Sequence, residues 1–83
     1  MDNKEYLIPD EIALLHTKAR AAKTIRNLAV KVPFGYKKAM IAAVQAIQFT
    51  QEFVNEIYKL YPELNNKRLS YSPNDKAVMI EGD

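Results

Sequence analysis

Apolar residues recur along the first two thirds of the chain with helical rather than strand spacing. Placed at ~100° steps, Ile12, Leu14, Leu15, Ala19, Ala21, Ala22, Ile25, Leu28, Ala29 and Val32 share one arc of roughly 200°. His16, Thr17, Arg20, Lys23, Thr24, Asn27 and Lys31 line the opposite side, and Lys18 and Arg26 are exceptions inside the apolar arc. Pro9 followed by Asp10 and Glu11 reads as a helix start, because proline suits the first turn and carboxylates suit the positive end of the macrodipole. The pattern predicts a first helix over about residues 9–31. "VPFGYKK" interrupts it: Pro33 disfavours helix at Val32, and Gly35 permits a turn conformation that other residues resist. A second helix is predicted over about residues 36–61, ending before Pro62. Its apolar arc holds Met40, Ala43, Val44, Ala46, Ile47, Phe49, Phe53, Val54, Ile57, Tyr58, Leu60 and Tyr61, facing away from Gln45, Gln48, Glu52, Asn55, Glu56 and Lys59.

So short a connection makes the helices antiparallel neighbours. The expected fold is all-α: an αα-hairpin domain over residues 1–61, with a short N-terminal segment, and a C-terminal extension over residues 62–83. Two arcs this wide cannot cover each other, since one partner hides only a stripe about half as broad, so a homo-oligomer is expected. In the extension, "SPND" is a turn signal between two short β-prone runs. A small β-hairpin and a loosely ordered tail both stay open there.

Composition sharpens the picture through charge. Between Ile12 and Gln51 there are seven Lys or Arg and no acid, whereas the rest of the chain has five bases and ten acids; a charge of +7 in the middle thus faces −5 at the ends within a net +2. Such asymmetry argues for an anionic partner. An 83-residue chain buries only about 60% of the surface its unfolded form exposes, and without cysteine no disulfide supplements the core. "MDNKEYLIPD" has no apolar h-region and nowhere do ~18 uninterrupted apolar residues occur. The expectation is a soluble cytoplasmic protein with no membrane partner.

Catalysis finds little support. His16 is the single histidine, cysteine is absent and the acids cluster near the termini, so neither a metal site nor a nucleophile–base pair is suggested, and no cofactor is expected. The cationic face of the first helix is the stronger signal. His16, Arg20, Lys23 and Asn27 form a ladder at helical spacing, with Thr17 and Thr24 beside it. A ladder of that kind supplies phosphate oxygens with charge and directed hydrogen bonds together. A merely solvated surface would usually interleave Glu with Lys, and this one does not. Gly35, Lys37 and Lys38 suggest a second anion site, since lysines in the first turn of a helix otherwise oppose its macrodipole. Tyr6 has two readings: a hydrophobic staple onto the first helix, or a platform that closes over a nucleobase.

The stretch "EYLIPDEIALLHTKARAAKTIRNLAVKVPFGYKKAMIAAVQAI", and more loosely residues 5–61, resembles the small helical-hairpin phage proteins that sequester cyclic oligonucleotide messengers and so blunt the bacterial CBASS defence. The resemblance implies a homohexamer without enzymatic activity that binds cyclic di- or trinucleotides in the host cytoplasm. It further implies base stacking by Tyr6 and phosphate contacts from Lys23 and Thr24, with Arg20 and Arg26 as alternatives. The tail from Leu69 has no counterpart in that family. The alternative expectation is a small helical protein that binds nucleic acid, or an acidic protein, with the same basic face.

Overall fold

The computed structural model describes residues 4–81, so the outermost residues of both expected segments lie outside it. Two long helices, α1 (Asp10–Ala29) and α2 (Tyr36–Leu60), form the expected antiparallel hairpin. A 3₁₀ turn, Pro62–Leu64, follows α2. Three short strands, β1 (Tyr6–Leu7), β2 (Leu69–Ser72) and β3 (Ala77–Ile80), complete the fold. The all-α expectation is therefore corrected to a helical hairpin with a small antiparallel sheet at its base.

Helix α1 starts where proline and the acids indicate. The Pro9 carbonyl accepts from the Ile12 and Ala13 amides at 3.1 and 2.9 Å, and Asp10 and Glu11 occupy the first turn. At the far end the residue that takes the left-handed conformation is Phe34, with φ 63°, whereas Gly35 has φ −83°. Glycine is needed at 35 for a different reason: a Cβ there would overlap the Ala29 carbonyl oxygen and crowd Val32 Cγ2 at 2.8 Å. The close approach of the two helices, not a positive φ, excludes a side chain.

The line of contact between the helices is made of small residues. Ala19, Ala22 and Ala29 on α1 and Ala39, Ala42 and Ala46 on α2 are all buried. Alanines let helix axes approach toward the short end of the usual ~8–10 Å range, and they shield little on either flank. Ile25, Leu28 and Ile47 consequently stay exposed beside the seam, while Met40, Ile41 and Val44 are exposed on the side of α2 turned away from α1.

The large-residue core sits at the other end. Tyr6, Ile8, Phe53, Ile57, Leu64 and Val78 form one buried cluster, with Ile57, Leu64 and Val78 essentially inaccessible. Burying side chains of this size contributes ~1.5–3 kcal/mol each. Of the two readings of the tail, the hairpin is the one found: β2 and β3 pair antiparallel around the turn at Pro73–Lys76, with Tyr71 opposite Val78. Strand β1 joins the other side of β3, Tyr6 opposite Val78, giving the order β1-β3-β2. The extension thus packs into the same core as the hairpin. Polar ties close this base: Tyr61 Oη donates to the Leu7 carbonyl at 2.7 Å, the Ile8 amide to the Lys76 carbonyl at 2.8 Å, and Lys76 Nζ meets Asp10 Oδ1 at 2.7 Å. The molecule is an elongated body of 50 × 22 × 22 Å with a filled base and a narrow, alanine-seamed shaft.

Candidate cationic groove

Lys23 and Arg26, three apart and therefore neighbours on α1, form one rim of a groove along the flank of the shaft. Ala43, Ala46, Ile47, Thr50 and Gln51 of α2 supply its floor and opposite wall, and it encloses about 290 Å³. Arg26 stands on the expected apolar arc, yet its side chain is exposed, because the alanine seam leaves the stem free to run out to the rim. There the guanidinium donates to Asn27 Oδ1, from Nη2 at 3.1 Å and from Nε at 3.4 Å. Thr50 Oγ1 donates to the Ala46 carbonyl at 2.8 Å, which spends the hydroxyl proton and leaves its lone pairs open to a donor. Two cations over an aliphatic floor, with a hydroxyl and an amide opposite, can take an anionic group at the rim and a flat apolar one beneath it.

Charge balance makes the rim reactive toward anions. The salt bridges among the described residues are Lys59 with Glu56 and Lys76 with Asp10, so Lys18, Arg20, Lys23, Arg26, Lys31, Lys37 and Lys38 have no carboxylate partner there. Their field is felt locally: the His16 imidazole is held below its ordinary value, first by burial and then by the positive charges of Arg20 and Lys23.

The other sequence candidates are placed differently. Tyr6 is a core residue, 8% exposed, its ring edge-to-face with Tyr61 at 5.1 Å and Lys4 Nζ 4.9 Å from its centroid. It belongs to the base, some ~15 Å or more along α2 from Ala46 and the groove, and the structure does not bring it to Lys23. Backbone pairing with β3 turns it inward, against Tyr61, α2 and Val78, whereas the expected staple is onto α1 and its other member Leu7 is exposed. His16 leaves the ladder and packs against the rings of Tyr71 at 4.6 Å and Phe53 at 5.2 Å, which also touch each other. Arg20 and Thr24 are exposed beside the groove without lining it, and the Thr24 hydroxyl donates to the Arg20 carbonyl at 3.1 Å. Lys18, also expected on the apolar arc, is exposed with its ammonium 5.8 Å from the Phe49 ring centroid.

The second anion site is only partly assembled. The Gly35 amide already donates to the Val32 carbonyl at 3.2 Å. Lys37 and Lys38 are exposed, and Lys38 edges a separate groove of about 260 Å³ with Ile25, Leu28, Ala29 and Val32. Nothing in an isolated α2 marks Thr50 and Gln51; only the antiparallel register sets them across from Lys23 and Arg26. Compared with known protein families, curated proteins and solved structures, the chain matches none.

Proposed function

We propose that this chain is a non-enzymatic binder of cyclic oligonucleotide messengers, and that by sequestering them in the host cytoplasm it counters CBASS immunity. The observation that carries the reading is the groove in which Lys23 and Arg26, without carboxylate partners, overhang Ala43, Ala46 and Ile47. Phosphate at the rim gains charge-assisted hydrogen bonds while a base lies on the aliphatic floor. At about 290 Å³ the groove lies at the lower bound of the ~300–1,000 Å³ usual for ligand pockets, so one chain offers part of a site for a ligand with two or three bases. Self-association would complete it. The exposed Met40, Ile41 and Val44 on the outer face of α2 suit such an assembly, and a hexamer is the state that the resemblance implies.

Calorimetric titration with a panel of cyclic di- and trinucleotides tests the proposal. Binding by the parent chain, about tenfold or more weaker in Lys23→Ala and Arg26→Ala, with the nucleotide recovered intact, is the expected result. A second reading rests on the spread of unpartnered cations along the whole shaft: binding of a nucleic-acid strand. Salt separates the two, because contact with many phosphates weakens steeply as salt rises and contact with two or three does not. Failure of every cyclic nucleotide to bind would remove the first reading.

A further inference from the structure

The apex of the hairpin, where α1 turns into α2, carries its own apolar surface. Val30, Val32, Phe34 and Tyr36 are all exposed there, and Phe34 is as open to solvent as in an unfolded chain, at 102%. Phe34 is also held at φ 63°, a conformation that bulky residues resist. The apex is firmly braced: Gly35, Ala29 and Ala39 are buried beneath it, with the Gly35 amide bonded to Val32 and the Ala39 amide to the Gly35 carbonyl at 2.9 Å. Lys31, Lys37 and Lys38 surround it, and no carboxylate occurs between Glu11 and Glu52. Beside it runs the groove of Ile25, Leu28, Ala29 and Val32, with Lys38 as its one charged residue.

We propose that the apex is a docking tip for the surface of an anionic lipid bilayer. Phe34, Val30 and Val32 enter the boundary between headgroups and acyl chains, Tyr36 lies at headgroup level, and the three lysines pair with lipid phosphates. Convexity and charge favour this occupant. A protruding ring needs a shape-matched cavity on a protein partner but none in a bilayer, and the lysine collar meets an anionic surface without an opposing acid. No helix among the described residues is long and apolar enough to cross a membrane, and a tip of this kind needs no span. Lys23 and Arg26 take no part, so the proposal stands apart from nucleotide binding.

The full chain contains no tryptophan, so Phe34→Trp provides a reporter at the apex. With vesicles of phosphatidylcholine and phosphatidylglycerol in equal parts, its emission should shift to the blue and the protein should co-sediment; with phosphatidylcholine alone both effects should be small. In the parent chain, Lys37→Gln with Lys38→Gln should lower the partition coefficient about thirtyfold, and Phe34→Ser about tenfold or more. Circular dichroism should be unchanged, since all three side chains are exposed. Lys67→Gln with Arg68→Gln, at the base, should leave partition as it is. Absence of co-sedimentation, or an equal loss from the base variant, overturns the proposal. So does a reporter whose emission is already blue-shifted without vesicles and reverts on dilution, because the apex would then be covered by a second copy.

Discussion

Replacing Tyr6 by alanine separates a core residue from a nucleobase platform. The ring is 8% exposed, lies edge-to-face with Tyr61 and belongs to the cluster with Ile57 and Val78, so its removal leaves a cavity where β1, β3 and α2 meet. Deletion of a buried aromatic costs ~3–5 kcal/mol, against a total of ~5–15 kcal/mol for a domain of ordinary stability. At ~4–8 °C per kcal/mol for a chain of this size, the midpoint of thermal unfolding should drop by at least ~12 °C. Tyr6→Phe should melt close to the parent, because the hydroxyl makes no hydrogen bond among the described residues and the ring does the packing. Circular dichroism melts of the parent and both variants, repeated at several protein concentrations to hold any association constant, provide the measurement. If Tyr6→Ala melted with the parent while cyclic-nucleotide binding vanished, the core assignment would be refuted and the stacking role that the resemblance implies would replace it.

The remaining expectations concern the hairpin turn, pH and the outer face of α2. Gly35→Ala should destabilise the chain by more than ~1 kcal/mol in urea titration, since the added methyl meets a backbone carbonyl that cannot move aside. Because the folded state lowers the His16 pKa, both states are neutral above the ordinary value of 6.5 and that stability is fully present. As pH falls below 6.5 the unfolded chain takes up its proton first, so stability should decline until the folded pKa is passed; His16→Phe should flatten this part of the curve. Asp10, held below its ordinary 3.8 by the hydrogen bond and charge of Lys76, gives a contribution that is present above that value and lost as pH falls through the folded pKa, which Asp10→Asn should abolish. Val44→Glu should shift the chain toward monomer in sedimentation velocity if the exposed face of α2 is the contact between copies.

Local signals in the sequence determine the hairpin. Pro9, Asp10 and Glu11 start α1, the proline–glycine break ends it, and a period of 3.6 residues marks both helices, all within a few residues of where they act. The charge asymmetry is equally local and survives folding intact, because no carboxylate lies in the shaft to cancel it. The arcs, however, contain alanines and large side chains alike, and periodicity does not rank them. Tertiary packing does, putting the alanines on the contact line and leaving Ile25 and Ile47 on the flanks and Met40 and Val44 on the outer face. That choice also lets Arg26 reach the groove rim, where the arc alone would have buried it. Strand β1 exists only because β3, from the opposite end of the chain, offers it a paired edge, and no local pattern in two residues announces such a partner. With it goes Tyr6 into the core; strand β2 brings Tyr71 against His16, and the register of α2 against α1 alone decides that Thr50 and Gln51 face Lys23. Contacts between residues distant in sequence depend on the summed packing of the whole chain, and a reading that advances a few residues at a time has no access to that sum.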